Sequence, residues 1–167
     1  MNERRVIRGA AESDLPRLVD IYNHYVINTA ITFDVVPYSP AERRPWFEQF
    51  RSGTRHELLV IEDAGAVMGY ASSAPLRPKQ AYETSVETTI YLHPDATGKG
   101  LGRSLYAHLI DTIASRDVHR AYGIVALPND ASIALHESLG FEQVAHLHEV
   151  GRKFDRYWDT VWLEKRL

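Results

Sequence analysis

The stretch "HPDATGKGLGRSL", His93–Leu105, decides how this chain is read. Glycines at 98, 100 and 102 alternate with Lys99 and Leu101, and Arg103 follows. Each glycine costs a helix about 1 kcal/mol against alanine, so three together mark a special backbone path or a close approach. Upstream, "SVETTIYLHP" (85–94) alternates as a strand does. Val86, Thr88, Ile90 and Leu92 share one face, and Glu87, Thr89 and Tyr91 share the other. Downstream, Leu101, Leu105, Leu109, Ile110 and Ile113 form the apolar stripe of a helix. Strand, glycine-rich turn and helix in that order expose backbone N–H groups at the positive end of a helix dipole. A bulky anion such as a diphosphate is the natural guest, and a tight connection with surplus glycine is the alternative. Two standard phosphate motifs do not fit. The dinucleotide pattern G-x-G-x-x-G needs glycine at 103, where Arg103 stands, and the G-K-[ST] of a P-loop is absent.

The whole chain sets bounds around that segment. Its 167 residues predict one domain, 1–167. Hydrophobic residues make up 44% and charged residues 25%, the composition of an ordinary globular protein. A formal net charge of -3 argues against a nucleic-acid-binding surface. The absence of cysteine excludes disulfides, thiolate metal sites and a cysteine nucleophile. The start, "MNERRVIRGA", lacks the apolar core of a signal peptide, and no apolar run reaches membrane-spanning length. The expectation is a cytoplasmic protein with no membrane partner.

The remaining elements follow from periodicity and punctuation. "RVIR" predicts a first strand. "SDLPRLVDIYNHYVIN" predicts a helix with Ser13 as its cap. "SPAERRPWFEQF" predicts a second helix with a Ser39/Glu42 capping box, made short or broken by Pro45. "HELLVIED" and "AVMGYASSA" predict a hairpin across "DAGA". "AYGIVAL" reads as a buried strand and "NDASIALHESLG" as a helix. "FEQVAHLHEV" and "YWDTVWLEKRL" read as two closing strands. Together these predict an α/β (α+β) fold: a mixed, mostly antiparallel sheet of about seven strands with helices on both faces.

Several of these stretches carry a family resemblance. "IYLHPDATGKGLGRSLYAHLI" resembles the pyrophosphate-binding segment of the acetyl-CoA-dependent GNAT N-acetyltransferases, R/Q-x-x-G-x-G/A after the fourth strand. Gly100 and Gly102 match the small positions. Thr97 departs from the usual Arg or Gln, which leaves that phosphate contact to Lys99 or Arg103. "ALPNDASIALHESLGF" resembles the next segment, with Asn129 matched, Ser132 in place of Ala and His136 at the Tyr position. "IYNHYVINTAITFD", "LRPKQAYETSVETTIYLHP" and "VGRKFDRYWDTVWLEKRL" resemble the phosphinothricin and methionine sulfoximine N-acetyltransferase branch.

The resemblance implies a function and a site. Acetyl-CoA is the implied co-substrate, bound by the backbone of Ile90, Tyr91 and Leu92 and by the segment Gly98, Lys99, Gly100, Leu101, Gly102 and Arg103. Asn129 either bonds the pantetheine arm or caps its helix, and the two roles are compatible. The implied acceptor is the amino group of a small amino-acid-like molecule. A carboxylate beside such an amine can act as general base, and the resemblance puts Glu87 there. It puts His136 at the position that protonates the departing thiolate, with Tyr106 as a rival. Arg77, Pro78, Lys79, Tyr82, Thr88 and Thr89 are implied around the acceptor, with Arg77 suited to a carboxylate. The branch implies a homodimer. A non-catalytic CoA-binding regulatory module is the alternative function. His146 and His148 form an H-x-H pair for which the sequence places no third ligand, so no metal is expected. Tyr157, Trp158 and Trp162 read as core or dimer contacts.

Overall fold

The computed structural model describes residues 5–167. Strands β1 (Val6–Gly9), β2 (Leu58–Asp63), β3 (Ala66–Pro75), β4 (Ser85–Leu92), β5 (Arg120–Ala126), β6 (Glu142–Lys153) and β7 (Arg156–Arg166) form one sheet. Their order is β1-β2-β3-β4-β5-β7-β6, and every pair is antiparallel except β4 with β5. Helices α1 (Leu15–Asn28) and α2 (Pro40–Glu48) cover one face, and α3 (Leu101–Ala114) and α4 (Asp130–Ser138) the other. The expected mixed seven-stranded sheet with helices on both faces is thus borne out. No helix among the described residues is long and apolar enough to cross a membrane.

Alternation along the strands divides the core in two. On β2, Leu58 and Val60 face α1 and α2, while Leu59 and Ile61 face α3. The α3 stripe of Leu101, Leu105, Leu109 and Ile113 is fully buried, as its spacing predicts. The β2–β3 turn takes the two left-handed residues of a type I′ hairpin, Ala64 at φ 51 and Gly65 at φ 80. The Ser39/Glu42 capping box forms, and α2 runs through Pro45 unbroken over its nine residues.

The expected Ser13 cap does not form. Ser13 lies inside a short 3-10 turn, Glu12–Asp14, and α1 starts after Asp14. The Asp14 carboxylate accepts the Ala11 N–H and is gripped at 2.7 and 3.0 Å by the Arg8 guanidinium, which also holds Glu62. A charge-assisted pair between β1, β2 and the turn outweighs a neutral serine cap.

One irregularity opens the sheet. β4 and β5 pair only over Ser85–Glu87 and Arg120–Tyr122. Beyond Glu87 the two strands diverge, while β3 stays paired with β4 as far as Leu92. The result is a split in the middle of the sheet, edged by the backbone of Thr89–Leu92.

Candidate active site

Three adjoining hollows follow the split. The first, of ≈ 340 Å³, lies on the α1/α2 face, with Glu87, Thr89 and Tyr91 of β4 on one wall and Arg43, Trp46 and Gln49 on another. The third, of ≈ 420 Å³, runs along Ile90–Leu92 to Gly98, Gly100, Gly102 and Arg103. A narrow passage lined by Thr88, Asn129, Ser132 and His136 joins them.

The glycine segment answers the question its composition raises. A 3-10 turn, Pro94–Ala96, follows β4, and α3 starts at Leu101. Gly98 and Gly100 take φ 75 and 77, left-handed values that suit glycine, and a Cβ on either would meet nothing within 4 Å. Gly102 differs: its added Cβ would lie 3.1 Å from Leu92 Cδ1, so it lets α3 press onto β4. Two glycines therefore shape an open backbone cradle at the start of a 14-residue helix, and the third packs that helix. Leu101 is fully buried and offers the cradle only its backbone. Lys99 is exposed and does not line the cleft. Arg103 does line it, and donates to Ser138 Oγ at 2.7 Å. The Thr97 hydroxyl is turned back onto Pro94 O.

Glu87 is half-buried, and burial raises its pKa above the ordinary carboxylate value while the Arg77 charge opposes the rise. The Arg77 guanidinium sits 5.8 Å from the centre of the Trp162 ring at the exposed rim. Pro78, Lys79 and Tyr82 are exposed on the same loop and line none of the three hollows. Thr89 bonds Ser72 Oγ at 2.8 Å inside the first hollow. Thr88 is placed otherwise than expected of a substrate contact. It faces the other side of β4, is buried, and its hydroxyl lies 2.7 Å from Tyr106 Oη and 3.2 Å from Tyr122 O.

His136 also lies on that opposite side, so the alternation of β4 separates it from Glu87. Its ring is buried and both nitrogens are engaged: Nδ1 lies 2.7 Å from Ser132 O and Nε2 lies 2.9 Å from Tyr106 Oη. The carbonyl can only accept, so Nδ1 carries the proton and Tyr106 donates to Nε2. Burial lowers the pKa of His136 and raises that of Tyr106. Burial thus disfavours the charged ring, and the proton that the neutral ring carries sits on Nδ1. Tyr106 is fully buried and lines none of the hollows. Asn129 caps α4, accepting the Ser132 N–H at 3.2 Å, and lines the cleft as well.

Sequence reasoning missed two parts of the site. The first is Arg43, whose guanidinium lies 4.4 Å from the Tyr22 ring centre, 5.0 Å from Tyr38 and 4.3 Å from Trp46. Its neighbour Arg44 pairs with Glu12, whereas Arg43 has no ion pair among the described residues. The second is the loop after α1, whose Ile31, Thr32 and Phe33 roof the first hollow. Lys153 Nζ donates to Thr32 O at 2.9 Å, and Phe33 fills the space a Cβ on Gly151 would need, 2.2 Å from its ring. The loop "TAITFDVVPY" carried a signal in its apolar residues, too many for a solvated connection; nothing in "ERRPW" singled out Arg43.

A family model described as an acetyltransferase (GNAT) domain matches residues 7–162. The chain belongs to the GNAT acetyltransferase family. This GNAT enzyme is 50% identical to a phosphinothricin N-acetyltransferase of Streptomyces coelicolor over 96% of this chain and 95% of that protein. It is 37% identical to an L-methionine sulfoximine/L-methionine sulfone acetyltransferase of Pseudomonas aeruginosa, over 96% of this chain and 94% of that one. It is similar to the structure of a GNAT phosphinothricin acetyltransferase from Sinorhizobium meliloti in complex with AcCoA. The TM-score is 0.92 and the identity 32%, covering 98% and 88% of the two chains. All three relatives are named as transferases, which favours a GNAT enzyme over the binding-module alternative.

Proposed function

We propose that this protein transfers the acetyl group of acetyl-CoA to the α-amino group of a small amino acid with an anionic or strongly polar side chain, of the phosphinothricin and methionine sulfoximine type. One observation carries the reading. A carboxylate made basic by burial, Glu87, and a guanidinium with no acid of its own, Arg43, face one ≈ 340 Å³ hollow. An amino acid offers the ammonium that the first needs and the anionic group that the second lacks. The names of the relatives agree with this chemistry.

The roles follow from position. Acetyl-CoA supplies the thioester. The split edge of β4 offers the N–H and C=O groups of Ile90–Leu92 to the pantetheine arm, as a sheet edge does to an added strand. Gly98–Arg103 offers the cradle and the helix dipole to the diphosphate, with Arg103 as the cation on its border. Asn129 holds the arm with the amide nitrogen left over from its capping bond. Glu87 takes one proton from the acceptor ammonium, directly or through one water. The freed lone pair attacks the thioester carbonyl, the C–N bond forms as the C–S bond breaks, and the CoA thiolate leaves with the proton that the acetylated nitrogen sheds. Arg43 holds the side-chain anion, and Arg77 at the rim holds the α-carboxylate, with Lys79 beside it on the same loop. His136 enters as a positioning residue: with Tyr106 and Thr88 it braces β4 behind the split. The protein works in the cytoplasm, where acetyl-CoA is made and used. It pairs as a homodimer, supported by the exposed apolar side chains of Val150, Phe154 and Tyr157 at the β6–β7 tip.

A thiol-release assay over an amine panel tests the reading. Phosphinothricin, methionine sulfoximine and methionine sulfone are expected to turn over faster than amines without an acidic group. Glu87→Gln should lower kcat by about 10²–10⁴-fold with acetyl-CoA affinity unchanged. Arg43→Met should raise KM for these acceptors by about 10–100-fold, the worth of a charge-assisted hydrogen bond. No turnover on any member of the panel, or a Glu87→Gln enzyme within about twofold of wild type, contradicts it.

A further inference from the structure

Away from the split sheet, His146 and His148 project from one face of β6 beside Asp159 of β7. One ligand-type atom from each of the three lies within 4.8 Å of the others. His146 Nε2 is 2.8 Å and His148 Nδ1 3.3 Å from the same oxygen, Asp159 Oδ2. The second oxygen, Oδ1, is fixed by the Glu149 N–H at 2.7 Å, and the Asp159 carbonyl accepts the Leu127 N–H at 2.9 Å. Glu149 takes the left-handed φ of 49 that turns its N–H onto the carboxylate. The two imidazoles stack with centres 4.2 Å apart.

We propose that His146, His148 and Asp159 form a three-ligand site for a divalent transition cation of the zinc class. The chemistry of the donors fits: two neutral imidazoles and a carboxylate suit Zn²⁺ or Ni²⁺, with water completing the shell. The spacing fits as well. Ligands about 2.0–2.1 Å from a tetrahedral ion stand about 3.3 Å from one another, so the carboxylate-to-imidazole distances need little change. The Glu149 N–H is the outer bond that a ligating carboxylate needs to hold its orientation. His146 is held by its pairing with Val161, and Asp159 by the bonds of its carboxylate to Glu149 N–H and of its carbonyl to Leu127 N–H. His148 and His146 are exposed enough for entry from solvent. A bound ion ties edge strand β6, at its irregular stretch between Leu147 and Gly151, to β7.

Calorimetric titration of tag-free, chelator-treated protein with ZnCl₂, repeated with NiCl₂, tests this. The expected result is one ion per chain. His148→Gln and the isosteric Asp159→Asn should each weaken binding by at least about 10–100-fold, the loss that follows even removal of an outer-shell partner. Without metal both variants should keep the far-UV circular dichroism of wild type. His93→Gln, remote from the cluster, should leave binding unchanged. An absence of saturable binding, or binding that survives both His148→Gln and Asp159→Asn, overturns the assignment and leaves a hydrogen-bonded cluster only.

Discussion

Gly123 on β5 is where one methyl group should disturb the site most. A Cβ built there would lie 2.2 Å from His136 Nε2 and 2.6 Å from Cδ2. Ordinary contact begins near 3.4 Å, so Gly123→Ala requires the ring to retreat by about 1.2 Å. It has little room to do so. Nδ1 is tied to Ser132 O, and the ring meets Tyr106 and Phe141 edge-on at 5.0 and 5.1 Å. A retreat of that size disturbs the 2.9 Å bond to Tyr106. Leaving buried polar groups unpaired costs about 1–3 kcal/mol, and forcing extra volume into a packed core about 1–3 more. The total is about 2–6 kcal/mol, and at about 2–4 °C per kcal/mol for a chain of this size Tm should fall on the order of 5–20 °C. Thermal unfolding followed by circular dichroism measures it. His136→Ser removes the obstruction, so Gly123→Ala/His136→Ser should be more stable than the sum of the single changes by about 1–3 kcal/mol. A Gly123→Ala protein with Tm within about 2 °C of wild type, or a cycle that sums without coupling, would refute the packing argument.

Two further outcomes test the split-sheet chemistry. Gly100→Val should abolish acetyl-CoA binding in calorimetry while the protein stays folded. Gly53→Val imposes a similar backbone strain at φ 83, in open space at a residue that lines none of the three hollows, and should retain affinity; equal loss in both variants would show that strain alone is responsible. The base must be ionised, so kcat/KM should fall as pH drops through the Glu87 pKa, which burial sets above the ordinary 4.5. Arg77 favours the ionised form, so Arg77→Ala should move this acidic limb to higher pH and Arg77→Lys should leave it near its place; a limb unmoved in Arg77→Ala would remove Arg77 from the site.

What the sequence determined by itself acts over short range. Two-residue alternation put Glu87, Thr89 and Tyr91 on one face of β4 whatever the rest of the chain did. Helical spacing buried the α3 stripe, and "DAGA" and the Ser39/Glu42 box close within four residues. Gly98 and Gly100 were legible because a left-handed φ is a property of one residue. What the tertiary structure decided depends on which distant segments meet. Asp14 rather than Ser13 anchors the turn because the pairing of β1 with β2 sets the Arg8 guanidinium between Asp14 and Glu62, 54 residues away. β4 and β5 part after three residue pairs, and no local pattern encodes where a parallel pairing stops. Arg43 gains its place only when α2 sets it among the rings of Tyr22, Tyr38 and Trp46. The same alternation that was read correctly put His136 behind β4, where Gly123 leaves space for its ring and Tyr106 takes its free nitrogen. A histidine in a helix is open to acid chemistry as far as sequence goes. Its burial, and the bond to Tyr106 thirty residues away, are set by how α3 and α4 pack on the sheet.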